Sequence, residues 1–262
     1  MHRKQSIGIF DSGVGGLSVL KHIHLLLPAE DLIYVADSAF MPYGCKSEGI
    51  VEERCMKIAG FLAEQQCKAI VVACNTATAA AVHRLRESFD IPVIGMEPGV
   101  KPAVANSGSG VVGVLATTGT SGSNKFKQLK DRYAEDAKLL VQPCPGLVEE
   151  IEKGDLSSQR LYDLLDQYLK PLMEQGVDTL VLGCTHYPFV VSVIRELVGE
   201  SVTIVDTGDA IARELKRQLN RRDLLADDTL QGSLYFWSSA ADSTPVLSYL
   251  WGESVVAGCL DI

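Results

Sequence analysis

The sequence has no surplus of basic residues: 24 Lys and Arg stand against 33 Asp and Glu, a formal charge of −9. A sequence-independent grip on nucleic acid needs surplus cations, so no nucleic-acid partner is expected. A small anion stays possible, because a local pocket of N–H groups can sit in an acidic surface. The opening MHRKQSIGIF carries basic residues but no long apolar stretch behind them, so no secretory signal is visible. No apolar run approaches about 18 residues, so no membrane partner or spanning helix is expected. There is no C-x-x-C pair, although there are seven cysteines: Cys45, Cys55, Cys67, Cys74, Cys144, Cys184 and Cys259. Without an export signal they read as reduced thiols of a cytoplasmic protein, most of them small core residues. The Gly-rich FDSGVGGLSVL lacks the Gly-Lys-Ser/Thr of a nucleotide loop, so it fits a carboxylate better than a nucleotide phosphate.

What is present is a large apolar supply. Apolar residues make up 47% of the 262 positions and charged ones 22%, enough for a sizeable core and too few charges for bulk disorder. Short Val/Ile/Leu runs recur: IGIF, LIYVAD, AIVVA, IPVIGM, VVGVLAT, AKLLVQP, TLVLG and SVTIVD. Near-continuous apolar runs of this length suit strands buried on both faces. Between them lie segments with helical spacing, at 17–27, 48–66, 76–89, 159–175, 190–198 and 210–219. Strand and helix in alternation predict an α/β fold with parallel sheets.

The runs also repeat. IGIFDSGVGGLS from Ile7 resembles VGVLATTGTSGS from Val112, and IVVACNT from Ile70 resembles LVLGCTH from Leu180. The expected architecture is therefore two pseudo-symmetric α/β domains from an internal duplication, with the active site between them. The segment from Met96 to Gly110 reads as a hinge followed by a helix and loop. The residues beyond VDTGD are too few for a third domain of ordinary size. They are expected to return to the first half, giving domains of 1–97 plus 208–262 and of 98–207.

In open α/β sheets ligands sit beyond the carboxyl ends of the strands. That location collects Asp11, Ser12, Cys74, Asn75, Thr76, Thr117, Thr118, Cys184, Thr185 and His186. A cysteine at one strand end is ordinarily a small buried residue. Two at matching ends, each followed by polar residues, ask for more. Inverting a carbon stereocentre needs a proton taken from one face and returned to the other, which two thiols on opposite faces can do. Asp11 can orient or relay a proton beside Cys74, or simply cap a turn. His186 can tune Cys184. The Pro42–Gly44 turn offers backbone donors and the Tyr43 hydroxyl. A zinc site, a Cys-His hydrolase and a non-catalytic amino-acid-binding protein stay as alternatives. Each explains less of the pattern, and no metal is expected.

The segments FDSGVGGLSVL, PYGCKSE, ACNTATA and GCTHYP resemble the signature segments of the glutamate racemases, in the expected order and across nearly the whole chain. The resemblance implies a racemase without cofactor that acts on glutamate and supplies the D-isomer for peptidoglycan, with a related two-cysteine racemase or isomerase for another acid such as aspartate as the alternative. By similarity Cys74 and Cys184 are the acid/base pair, assisted by Asp11 and His186. Asp11, Ser12, Pro42, Tyr43, Gly44, Asn75, Thr76, Thr185 and His186 would hold the substrate. Thr117, Thr118 and Thr120 add contacts from the second half. The family carries a glutamate before the second cysteine. CPGLVEEIEKG departs from the usual apolar pattern and offers Glu149, Glu150 and Glu152, of which Glu152 is taken. A homodimer is implied. Six residues precede the first strand, so the control by a cell-wall precursor that some members show through an N-terminal extension is not expected.

Overall fold

The computed structural model describes residues 2–227, 229 and 231–262. Alternation of strand and helix runs through the chain. The first stretch is β1 (Ile7–Asp11), α1 (Leu17–Leu26), β2 (Leu32–Ala36), α2 (Glu48–Glu64), β3 (Ala69–Val72), α3 (Asn75–Ser88) and β4 (Val93–Gly95). The second begins with α4 (Val100–Asn106), β5 (Val111–Ala116), α5 (Thr118–Gly122), α6 (Asn124–Arg132) and β6 (Lys138–Pro143). It continues with α7 (Leu147–Glu152), α8 (Gln159–Met173), β7 (Thr179–Gly183), α9 (Val191–Val198) and β8 (Thr203–Val205). The chain ends with α10 (Gly208–Arg221), β9 (Leu234–Ser238), α11 (Thr244–Trp251) and β10 (Ala257–Cys259).

Among the described residues the strands form two sheets, and every pairing is parallel. The first has the order β10-β9-β2-β1-β3-β4 and the second β6-β5-β7-β8. The four-strand order β2-β1-β3-β4 therefore recurs as β6-β5-β7-β8, the structural counterpart of the sequence repeat. β9 joins the first sheet by pairing with β2.

Alternation along each central strand explains how both faces are covered. Ile7 and Ile9 of β1 pack with Leu20 and Ile23 of α1 and with Leu215 and Leu219 of α10. Phe10 points the other way, into a cluster with Ile58 and Leu62 of α2 and Val82 and Leu85 of α3. In the second sheet Leu180 and Leu182 meet α7, α8 and α9, whereas Val112, Val114 and Val181 meet α4 and α6. Both faces being apolar, these strands read as continuous hydrophobic runs rather than alternating ones.

The two connections between the halves run side by side. A Cβ built on Gly99 would meet Val205 at 2.9 Å and Thr207 at 3.1 Å, so only glycine lets the segments approach this closely. Among the described residues, no helix is long and apolar enough to cross a membrane.

Candidate active site

The site forms where chain direction splits. β1 and β3 are neighbours at the centre of the first sheet, as β5 and β7 are in the second. Successive connections leave such a pair toward opposite faces and open a crevice at the carboxyl ends. Asp11 closes β1, and Cys74 follows β3 as the N-cap of α3, where its Sγ accepts the Ala77 N–H at 3.5 Å. The helix thus starts at Asn75, one residue earlier than periodicity predicts, because the cysteine itself caps it. Thr117 follows β5 and caps α5 by accepting the Thr120 N–H at 3.0 Å. Cys184 follows β7.

The two crevices face each other and touch. The Thr76 hydroxyl lies 2.9 Å from that of Thr117 and 3.1 Å from that of Thr120, and Thr117 donates to Thr120 at 3.0 Å. Three hydroxyls thus close a ring across the halves. The Thr185 hydroxyl donates to Asp11 Oδ2 at 3.5 Å. Cys184 lies near enough to Cys74 that charge on it raises the Cys74 thiol further.

Around Cys74 the groups are acidic and buried. Its thiol donates to the Ser12 hydroxyl at 3.8 Å, and Ser12 in turn faces Asp11 Oδ1 at 3.4 Å. Asp11 Oδ2 accepts the Gly16 N–H at 2.7 Å. Burial pushes the Cys74 thiol well above its ordinary value, and the neighbouring Asp11 carboxylate adds to the shift. Burial likewise raises Asp11, with His186 opposing it. This half of the site favours a neutral thiol.

Around Cys184 the partner is a potential cation. His186 Nδ1 lies 3.6 Å from Cys184 Sγ, and its Nε2 lies 2.7 Å from Glu152 Oε1. Burial opposes charge on His186, but the hydrogen bonds to Cys184 and Glu152 outweigh it and hold the imidazole well above its ordinary value. An imidazolium donates from both nitrogens, so one ring serves the thiol and the carboxylate together. Glu152 also accepts the Val14 N–H at 2.7 Å, which ties the second half to the loop after β1. That loop must be glycine-rich: a Cβ at Gly13 would overlap Glu152, and one at Gly15 would overlap the His186 ring. Of the three candidate glutamates, Glu152 is the one that reaches His186. Glu150 pairs with Lys153, and Glu149 lines a small opening beside the site.

The remaining candidates fall into two groups. Asn75 is 4% exposed, and neither its amide nitrogen nor its oxygen has a partner. A buried amide in that state is a candidate ligand contact. Pro42, Gly44, Thr117, Thr118 and Cys144 border an opening of about 60 Å³ between the halves. Thr118 is exposed there, while Thr117 and Thr120 point inward. The Tyr43 hydroxyl turns away from the cleft and donates to Asp37. Asp37 is held by Arg54 through bonds of 3.0 and 2.8 Å, so this buried network fixes the Pro42–Gly44 turn. Sequence reasoning misses the Val14 amide, the Ser18 hydroxyl, and Tyr34, whose hydroxyl donates to the Gly13 carbonyl at 2.8 Å. Only Tyr34 leaves a trace, as the polar tip in an otherwise apolar strand. Among the described residues, no three His, Cys, Asp or Glu side chains are grouped as metal ligands.

Comparison with known proteins bears on what this arrangement does. Residues 7–215 match the family described as Asp/Glu/Hydantoin racemase. The chain is 52% identical over 259 residues to the glutamate racemase of Pseudomonas paraeruginosa, covering 98% of this chain and 97% of that one. It is 55% identical over 254 residues to the glutamate racemase of Pseudomonas entomophila, with 96% of each chain covered. Among solved structures, a glutamate racemase isoform of Bacillus anthracis superposes with a TM-score of 0.91 at 34% identity, over 100% of this chain and 99% of that one. The Escherichia coli glutamate racemase, in complex with L-glutamate and an activator, superposes with a TM-score of 0.85 at 33% identity over 97% of each chain. With matches of this extent, the chain belongs to the Asp/Glu/hydantoin racemase family and is a racemase.

Proposed function

We propose that this racemase interconverts L- and D-glutamate by moving the Cα proton between two thiols, Cys74 and Cys184, without a cofactor. The observation that carries the reading is the repeated strand order. It hangs one cysteine from the carboxyl end of β3 and the other from that of β7. Each has its own partners, Asp11 and Ser12 for one, His186 and Glu152 for the other. Glutamate as substrate is supported by near-full-length relatives named for it.

Beside the His186 imidazolium, Cys184 serves as the thiolate that takes the proton from L-glutamate. The C–H electron pair stays on Cα. Cys74, kept protonated by burial and by Asp11, gives its proton to the opposite face. The turnover leaves a thiol at Cys184 and a thiolate at Cys74, which is the state that deprotonates D-glutamate. Ser12, Asn75, Thr76, Thr117, Thr120, Thr185 and the Pro42–Gly44 turn hold the carboxylates and the ammonium group. The substrate is enclosed between a half of residues 1–97 with 208–262 and a half of residues 98–207. The reading is completed by a cytoplasmic homodimer that supplies D-glutamate for peptidoglycan.

Proton NMR of pure L-glutamate in heavy water tests this. The Cα signal should disappear as D-glutamate forms. In well-folded Cys74→Ser and Cys184→Ser variants racemisation should fall by about 10²–10⁴-fold, the range of a general acid or base. Near-parent racemisation in either variant removes that cysteine from the mechanism. Activity lost on chelation and restored by zinc refutes the metal-free reading.

A further inference from the structure

The turn that carries Cys184 contains a proline at a position where its neighbours donate. The Tyr187 N–H goes to the Cys184 carbonyl at 3.2 Å, and the Phe189 N–H to the His186 carbonyl at 3.1 Å. In the same register Pro188 would serve the Thr185 carbonyl, but proline has no N–H. Thr185 is buried, so water is a poor substitute. The donor comes from the other half of the molecule. Ser18, in the first turn of α1, lies with its Oγ 2.8 Å from the Thr185 carbonyl oxygen.

Ser18 Oγ is also 2.9 Å from the Gly15 carbonyl, in the loop that leads into its own helix. That acceptor already takes the Ser18 backbone N–H at 3.0 Å. A hydroxyl has one proton, and the Thr185 carbonyl is the acceptor that lacks another donor in its turn. The contact is part of a seam. One helical turn further along α1, the Lys21 ammonium sits 5.6 Å from the centre of the Phe189 ring. Thr185 is thus held to the first half at both ends, its carbonyl by Ser18 and its hydroxyl by Asp11. Cys184 and His186 flank it.

We infer that Ser18 is a positioning residue for racemisation: it supplies across the cleft the donor that Pro188 removes, and so sets where the Cys184–His186 turn stands relative to Asp11. The inference rests on Cys184 acting as one of the two proton-transfer thiols. Displacing a reacting group by a fraction of an ångström slows the chemical step, while the Thr185 hydroxyl keeps its own anchor on Asp11 and the other binding groups stay in place.

The test is kinetic and structural. Ser18→Ala should lower kcat for L-glutamate by about 10-fold and leave KM within about twofold. The primary deuterium isotope effect with Cα-deuterated substrate should rise, because proton transfer at Cys184 slows relative to the other steps. Ser18→Thr keeps the hydroxyl and should stay near the parent. Adding Pro188→Ala to Ser18→Ala restores an N–H to the turn and should recover most of the lost rate. Parent-like kcat in Ser18→Ala overturns the inference. So does a loss that only tracks the folded fraction with an unchanged isotope effect, and so does a double variant no faster than the single. Hydrogen exchange over residues 184–190 reads the same contact without substrate. It should be faster in Ser18→Ala and restored in Ser18→Thr, and unchanged protection overturns the assignment. A parent protein inactive on glutamate would overturn the substrate reading, and the exchange result would still decide the role of Ser18.

Discussion

Replacing Glu152 by Gln keeps the shape of the side chain and removes its charge. The amide oxygen can still accept the Val14 N–H, so the tie between the halves survives. What weakens is the 2.7 Å bond to His186 Nε2. A hydrogen bond involving a charged group contributes about 1.5–3 kcal/mol, and a neutral one about 0.5–1.5. The difference, about 1–1.5 kcal/mol, is lost only from the protonated ring, which corresponds to about a tenfold loss in its preference for the proton. His186 stands well above its ordinary value because the bonds to Cys184 and Glu152 outweigh burial. The imidazolium is therefore present below that folded value and disappears as pH rises through it. Its contribution to stability is complete below the unfolded value of about 6.5 and is lost over the same rise. Glu152→Gln moves both losses to lower pH. On the basic limb of kcat/KM the variant should be about tenfold slower, and below that limb within about twofold of the parent. Circular dichroism of the glutamate pool, followed at constant ionic strength across pH, measures this. A basic limb that stays at the parent position, or a loss that is uniform in pH, would refute the imidazolium role.

Two further outcomes follow from buried groups. Asn75→Leu removes an amide with no partner, so the ligand-free protein should gain about 1–3 kcal/mol while the KM for glutamate rises about 10-fold; an unchanged or lower thermal midpoint would contradict the assignment of that amide to a ligand. Arg54→Met leaves Asp37 buried without its cation and should destabilise the protein by about 3–5 kcal/mol. Adding Asp37→Asn should recover part of the loss, and thermal unfolding in which the double variant is no more stable than Arg54→Met would show that the pair is not the cause.

The strand ends are legible in the sequence because both sheets are covered on both faces. Each buried strand becomes an apolar run, and each run stops where the chain turns polar, at Asp11, Cys74, Thr117 and Cys184. The repeat is legible for the same reason. The layer behind these residues is not. The Val14–Glu152 bond joins positions 138 apart, and the Ser18–Thr185 bond positions 167 apart, so no local spacing announces either. Tyr43 illustrates the opposite limit. Its neighbours Pro42 and Gly44 border the opening between the halves, but its own hydroxyl is claimed by Asp37, whose cation lies on α2. The helices α6 and α7 are too short to display a helical period, and their burial depends on the second sheet.

The threonine ring has a consequence for how ligands leave. Thr76, Thr117 and Thr120 carry three hydroxyl protons for three oxygen–oxygen edges, so the ring closes with every bond made when Thr117 donates to Thr120, Thr120 to Thr76 and Thr76 to Thr117. The three hydroxyls are therefore already satisfied by one another. A carboxylate brings acceptors only, and each oxygen it seats there must draw an O–H away from a neighbouring hydroxyl. Ligand bonds replace ring bonds nearly one for one, so the net attraction is small even where the geometry is good. Such a seat orients an acid group without gripping it. On the proposed seating, the ring re-forms when the substrate departs and no donor is left stranded. For a catalyst whose two ligands are mirror images, a seat that releases either hand with equal ease keeps the reaction turning in both directions.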